Sequence, residues 1–537
     1  MFVRRLLPVL LVWHVCPVLS TRKCTEAEIA GLLPSDASVL FAVPYTGDNN
    51  TFGNPADIAF PINATNLPAF CAVQIKVTSS ATSSFMFGLF LPTNWNQRFL
   101  AVGNGGFAGG VNWLDMGAGL LYGFAVISTD TGHNSTSGNG TWALNNPEAL
   151  TDWGYRAMHG SLTLGKEVVS GWYAENIKYS YYSGCSTGGR QGLKEIQISP
   201  GSFDGVLAGA PAWWTSHLQT WTVEIGKLNL PATKPGYIPV TLFPAIGAEV
   251  LRQCDGVDGV LDGIITNPSV CDFDYNALLC TPTSKPDSCL TAPQLDTLYS
   301  IYHDYVDTNN TFVFPHLELG SEAQWPVLLG SNSTPNPLGS AYVQDFLLND
   351  PTWSWTDYDY SIVQLADALQ PGNATANNFD LSPFYAQGGK LIQYHGLADG
   401  LIPTGSSPYF YNHVYRTLLP RGIPLDPWYR LFLVPGMQHC AGSAVDAPWY
   451  FAGSGQAGAL GTGVHSVPGF MDAQHDALLA LMAWVEDGTA PDSIIATRFK
   501  NDTLSMGWEK QRQLCPYPAF AEYVGGNVNV SSSWACP

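Results

Sequence analysis

Short apolar runs, each closed by a Gly or Asp turn signal and separated by stretches with helical spacing, constrain this chain more than any other feature. Runs at 98–102, 123–128, 178–183 and 203–208 are apolar on both faces, as strands buried on both sides are. The stretches 157–174 and 190–198 between them carry apolar residues at helical spacing. Strand and helix in alternation predict a doubly wound, mostly parallel sheet of the α/β class. The pattern resumes at 390–394 and 429–434 and closes with an amphipathic helix over 473–486. Between the two halves, 213–384 breaks the rhythm with Pro/Gly turns, four clustered cysteines and a Trp/Tyr-rich segment at 353–360. We read that stretch as a large inserted lid domain, with 21–212 and 385–537 as the two parts of one sheet domain. A chain of 537 residues is too long for one ordinary domain, so either two domains or one core with a large insertion is expected.

Composition narrows the setting. Charged residues make up 12% of the chain against 46% hydrophobic, and the formal net charge is −20 with no compensating basic run. Such a surface repels phosphate backbones and anionic lipid, which argues against nucleic-acid and membrane partners. Arg4 and Arg5, the apolar stretch from Leu6 to Leu19, and the small residues Ser20 and Thr21 read as a secretory signal peptide over 1–20. That stretch is shorter than the roughly 18 residues of a spanning helix. Its removal would take Cys16 and leave an even set of ten cysteines, which in a secreted chain points to disulfides. Glycosylation triplets begin at Asn49, Asn63, Asn134, Asn139, Asn309, Asn332, Asn373, Asn501 and Asn529, with Pro335 disfavouring the triplet at Asn332. The expectation is a secreted, extracellular protein.

The chemistry concentrates at three places. Gly184-Cys185-Ser186-Thr187-Gly188 lies between an expected strand and an expected helix. A serine on so tight a turn is pushed out above the sheet edge, and the following helix aims its first amides at developing negative charge. The bland alternative is a glycine-rich turn with an incidental serine. Asp399 and His439 each follow a late strand, and the order Ser, Asp, His is that of the α/β-hydrolase fold, with the acid orienting the imidazole that takes the serine proton. His395 and Asp446 compete for these roles, whereas His133, His413 and His465 read as structural. Cys185 precedes Ser186 and Cys440 follows His439, so a serine and histidine within reach of each other would bring the cysteines near the roughly 4.4–6.8 Å Cα separation of a disulfide. Pairing of both cysteines elsewhere stays open. Thr187 supplies the first amide of an oxyanion hole, and Gly105 or Gly106, in the glycine-rich loop 103–110, supplies the second.

Asp255, Asp258 and Asp262 bring three carboxylates into one glycine-punctuated turn, a density of hard oxygen ligands suited to Ca2+. The spacing is not that of an EF-hand, and Asp-Gly repeats also make plain hairpin turns. Cys254 and Cys271 flank the loop.

Taken together, the 103–110 loop, Ser128-Thr129-Asp130-Thr131-Gly132-His133, 184–192, the acidic loop and the segments around Asp399 and His439 resemble the tannase and feruloyl esterase family, closest to its fungal type B feruloyl esterases. The resemblance implies the Ser186, Asp399, His439 triad, the Cys185 to Cys440 bridge, and a calcium held by Asp255, Asp258 and Asp262 with main-chain oxygens of Val260 and Ile264. It further implies Cys24 paired with Cys71, Cys254 with Cys271, Cys280 with Cys289, and Cys515 with Cys536. The implied reaction is hydrolysis of feruloyl esters of plant cell-wall polysaccharide or of small aromatic esters, with galloyl esters as the alternative. A secreted serine carboxypeptidase is a further alternative, and so is an inactive binding protein of hydrolase fold. The last would be expected to have lost a triad member, and all three candidates are present.

Overall fold

A computed structural model describes residues 20, 22–283, 285, 287–330 and 333–537. Residues 1–19 of the expected signal peptide (1–20) and the triplet residue Asn332 lie outside them. The core is a nine-stranded sheet. Its strands, in chain order, are β1 (Ala37–Tyr45), β2 (Phe70–Thr78), β3 (Ser84–Pro92), β4 (Arg98–Val102), β5 (Ala125–Thr129), β6 (Tyr179–Cys185), β7 (Gly205–Gly209), β8 (Lys390–Gly396) and β9 (Tyr429–Val434). In space they run β1-β2-β3-β5-β4-β6-β7-β8-β9. The three pairings at the β1 edge are antiparallel. The other five are parallel, so the sheet is mostly parallel as expected. All six strands read from apolar runs are present within two residues of the expected ends, or extended slightly at the C-terminal end. The antiparallel β1 to β3 edge was not expected.

The helices that matter for the site are α1 (Trp113–Leu121), α2 (Ala157–Tyr173), α3 (Thr187–Ile198), α4 (Thr215–Asn229), α5 (Phe243–Cys254), α6 (Ala292–Ile301), α7 (Tyr360–Leu369), α8 (Ser406–Leu418) and α9 (Ala477–Asp487). Strand residues alternate between two apolar layers. Phe99, Ile127, Tyr182, Leu391 and Leu431 pack with Val168 and Trp172 of α2 on one face. Leu100, Val126, Leu207, Ile392 and Phe432 pack with Leu481 and Trp484 of α9 on the other. Helices on both faces are what a parallel sheet needs, because neither of its faces can meet water. Close approach has its own requirement: a Cβ on Gly165 of α2 would stand 3.1 Å from Ile127. α9 is capped at its start by Asp476, whose carboxylate accepts the amides of Leu478 and Leu479, and at its end by Gly488 at φ 72°.

The stretch 213–384, read from the sequence as an insertion, lies between β7 and β8. It folds around an apolar core of its own that joins α4, α5 and α6 through Leu218, Trp221, Ile246, Val250, Leu298 and Trp325. A second cluster, including Val343, Phe346 and Ile362, packs against Phe107 and Trp153 of the sheet domain. Five disulfides are formed: Cys24–Cys71, Cys185–Cys440, Cys254–Cys271, Cys280–Cys289 and Cys515–Cys536. Among the described residues no helix is long and apolar enough to cross a membrane. Of the triplet asparagines, Asn49, Asn63, Asn134, Asn139, Asn309, Asn373 and Asn501 are exposed and Asn529 is half-buried.

The last turn of α9 is tied to the sheet by one ion pair. Arg98 at the start of β4 donates from Nε and Nη2 to the two oxygens of Glu486, at 2.7 and 2.5 Å, and Tyr181 Oη donates to the same carboxylate at 2.6 Å. Both charged side chains are mostly buried, so removing one partner leaves the other poorly solvated. Glu486→Gln should therefore destabilise the fold by about 1–3 kcal/mol, seen as a lower Tm in scanning calorimetry. An unchanged Tm would mean that the pair contributes nothing.

Candidate active site

Ser186 follows β6 and immediately precedes α3, with φ 64° and ψ −126°. This is a strained conformation for a residue with a side chain, and it persists because the surroundings over-determine it. The Ser186 amide donates to Gly209 O at 3.0 Å, and its carbonyl accepts the amides of Arg190 and Ala212, each at 3.0 Å. The flanking glycines are forced by close approach: a Cβ on Gly184 would stand 2.6 Å from the Gly188 carbonyl, and one on Gly189 2.5 Å from Gly209 O. The sequence-predicted turn context of Ser186 is thus physically present.

His439, after β9, donates or accepts at Nδ1 against Asp399 Oδ2 at 2.7 Å. Opposite an acceptor-only carboxylate, that nitrogen carries the proton. Asp399 has no exposed surface, and its other oxygen, Oδ1, accepts the amides of Leu401 and Ile402, each at 2.9 Å. Burial alone would push the carboxyl up, but the His439 charge and the hydrogen bonds from His395 and His439 outweigh it and hold the group well below the usual carboxylate range. It is therefore ionised across the neutral range. Cys185 and Cys440 are bonded to each other with Cα atoms 6.0 Å apart, joining the residue before the serine to the residue after the histidine.

Two residues that sequence reading did not place in the site belong to it. His395, weighed there as a rival of His439, stands on the same carboxylate, with Nε2 3.0 Å from Asp399 Oδ2. Gln324, from the insertion, accepts with one amide oxygen the N–H groups of Gly400 at 3.0 Å and His439 at 3.1 Å, so it ties the two loops together. Nothing in the local sequence marks Gln324, because its role comes from long-range packing. The other rival, Asp446, is an exposed partner of Arg498 at 2.8 Å. His133 stacks on Trp142, His413 bonds within α8 to Tyr409 O, and His465 packs edge-on to Tyr122.

The glycine-rich loop after β4 is brought beside the serine by reciprocal bonds: Gln191 Oε1 accepts the Asn104 amide, and Gln191 Nε2 donates to Asn104 Oδ1. Thr187 Oγ1 donates to Gly106 O at 3.0 Å. Gly106 and Thr187 line one small cavity together with Ser186 and His439, whereas Gly105 is not among its lining residues. The rest of its wall is mostly apolar, from Leu218 of α4, Leu328, Leu401 and Ile402, with Gln219 and Thr222 as polar points. A larger apolar cavity of about 310 Å³ lies behind the Asp399 loop, against Leu397, Ala398 and α5, but touches neither Ser186 nor His439. The chemistry belongs to the smaller one.

The acidic loop follows α5. Asp255 Oδ1 accepts the amides of Asp262, Gly263 and Ile264, Asp258 accepts from Val260 N and Thr266 Oγ1, and Asp262 pairs with Arg512. Arg512 also lies 3.7 Å from the centre of the Trp534 ring. Among the described residues no His, Cys, Asp or Glu side chains are already gathered into a metal cage. The three carboxylates are hard oxygen donors; burial raises the Asp262 carboxyl against the pull of Arg512, and the Asp258 and Asp255 charges add to the rise.

The family model described as "Tannase and feruloyl esterase" matches residues 71–317 and 348–537. The chain is 36% identical over 478 residues to a probable feruloyl esterase B-1 of Aspergillus oryzae, covering 87% of this chain and 84% of the relative. It is 35% identical over 471 residues to a probable feruloyl esterase B-2 of Aspergillus terreus, covering 87% and 86%. The crystal structure of feruloyl esterase B from Aspergillus oryzae superposes with a TM-score of 0.86 at 33% identity, over 95% of this chain and 100% of that one. A tannin acyl hydrolase from Aspergillus niger shares the fold, with a TM-score of 0.75 at 23% identity over 97% and 96%. The chain belongs to the tannase and feruloyl esterase family.

Proposed function

We propose that the protein is a secreted serine esterase that hydrolyses feruloyl and related hydroxycinnamoyl esters, including those of plant cell-wall polysaccharide. The observation that carries this reading is a strained, outward-turned Ser186 sharing one cavity with His439, whose far nitrogen is held by the buried Asp399 carboxylate at 2.7 Å. In the reaction His439 Nε2 takes the Ser186 hydroxyl proton as Oγ attacks the ester carbonyl. The amides of Thr187 and Gly106 receive the charge on the carbonyl oxygen. Collapse of the tetrahedral adduct breaks the ester C–O bond, and the proton on His439 passes to the departing alcohol. Water, deprotonated by His439, then attacks the acyl enzyme and releases the acid. A mostly apolar wall with an amide at Gln219 and a hydroxyl at Thr222 suits a flat phenolic acyl group. Support for feruloyl over galloyl esters comes from relatives at 33–36% identity that are named feruloyl esterases.

Secretion is supported by the five disulfides and by the exposure of seven triplet asparagines, which we take as candidate glycosylation sites. We assign Ca2+ to the acidic loop, held by Asp255, Asp258 and Asp262 with the main-chain oxygens of Val260 and Ile264. It would supply structural charge compensation and take no part in acyl transfer.

Four outcomes test these readings. Ser186→Ala should leave a folded protein whose turnover of methyl ferulate falls by about four to six orders of magnitude, and the wild type should prefer methyl ferulate to methyl gallate. Preference for gallate would make the enzyme a tannase, while wild-type turnover by the alanine variant would remove Ser186 from the mechanism. Chelation should lower Tm by several degrees, reversibly on adding calcium back, with little change in initial rate at 25 °C. No Tm shift would refute the metal assignment. Replacing Cys185 and Cys440 together by alanine should lower kcat more than it raises KM in protein that still folds, because small displacements of the serine and histidine are costly.

A further inference from the structure

His395 sits near the end of β8, fully buried, and its two ring nitrogens face different chemistry. Nε2 lies 3.0 Å from Asp399 Oδ2 and 3.0 Å from the carbonyl oxygen of Ile402. Both are acceptors, so Nε2 must carry a proton. Nδ1 lies 2.7 Å from Ser407 Oγ on α8. Ser407 Oγ in turn accepts from Gln393 Nε2 at 2.7 Å, and Gln393 Oε1 accepts the hydroxyl of Tyr429. Gln393, Ser407 and Tyr429 show no exposed surface.

These contacts fix a direction. Since the Tyr429 hydroxyl donates to the amide oxygen of Gln393, the amide nitrogen faces Ser407. Ser407, receiving that bond, has its own proton free for His395 Nδ1. A neutral ring that accepts at Nδ1 bears its proton at Nε2, on the side of the carboxylate. Asp399 thus has two amides on Oδ1 and two imidazoles on Oδ2, which leaves its carboxylate a single rotational setting.

We propose that His395 is a positioning residue for the reaction: held in its Nε2–H form by the Tyr429, Gln393 and Ser407 chain, it sets the plane of the Asp399 carboxylate and thereby the aim of His439. The same N–H holds the carbonyl of Ile402, the residue whose amide bonds Asp399 Oδ1, so both contacts act on the carboxylate. This rests on the assignment of Ser186, Asp399 and His439 as the reacting triad. His395 touches neither substrate nor Ser186, so its effect is on geometry, not on binding.

The test compares three variants of the full chain on methyl ferulate. His395→Leu removes the donor and should lower kcat about 100-fold with KM within about twofold of wild type. His395→Gln returns an N–H to the position of Nε2 and should recover kcat to within about tenfold of wild type. Ser186→Ala is the control: if it is inactive while His395→Leu keeps wild-type kcat, the positioning role is overturned and the triad stands. If Ser186→Ala is active, the triad itself is wrong. A loss that His395→Gln does not rescue, or one that falls on KM, also overturns the proposal. Should the leucine variant fail to fold, neutron diffraction on the unaltered protein decides: deuterium on His395 Nε2 alone, with the Ser407 hydroxyl aimed at Nδ1, is expected, and deuterium on Nδ1 overturns it.

Discussion

One ionised carboxylate with no exposed surface sets the terms for the rest of this site. An unpaired charge in the position of Asp399 would be prohibitively expensive, and the group would take up a proton instead. The fold meets that cost with four donors from two segments: the amides of Leu401 and Ile402, and the rings of His395 and His439. Each donor is also a geometric constraint. The arrangement that keeps the carboxylate charged is the same one that keeps it aimed, so stability and catalysis draw on one set of bonds.

The histidine loop is fixed from three directions. Asp399 holds the ring, the Cys185–Cys440 bond holds the next residue to the turn of the serine, and Gln324 takes the His439 amide. Cys440 itself has φ 64°, so it too, like Ser186, sits in backbone that a side chain rarely adopts. The disulfide therefore joins one strained residue, Cys440, to the neighbour of the other, Ser186. A loop of 255 residues closed this way also restricts the unfolded chain, for which the entropy model gives about 5 kcal/mol. Stabilising the fold and placing the serine are therefore not separable functions of this disulfide.

Much of this was legible in the sequence, for a physical reason. Strands of a parallel sheet are apolar on both faces, so β4 to β9 stand out as continuous runs, and the turn at Ser186 needs glycines that the eye can find. β1 to β3 carry apolar runs too, Val39–Val43 and Phe85–Leu91 among them, but they precede the strand–helix alternation, so that rhythm did not assign them to the antiparallel edge. Asp399 and His439 were legible because both follow strands in the chain order of this fold. Gln324 and Ser407 were not, since an amide or hydroxyl becomes part of a site only through the partners that tertiary packing brings to it. His395 carried a signal, a histidine at a strand end four residues before the acid, but spacing alone could not separate a rival of His439 from a second partner of Asp399.

The stretch between β7 and β8 is placed to reach the cavity from two sides. It leaves the sheet after β7, next to the strand of the serine, and returns at β8, the strand of the acid, so its residues can reach both without disturbing the hydrogen bonds of the sheet. α4 brings Leu218, Gln219 and Thr222 to the cavity from the entering side, and Gln324 reaches the triad loops from within the insertion. Its apolar core is largely its own, so the wall of the cavity can vary while the carboxylate, the imidazole and the strained serine keep their settings. The groups that set Asp399 and His439 thus come from β8, from the loops after β8 and β9 and from Gln324, while α4 supplies much of the cavity wall.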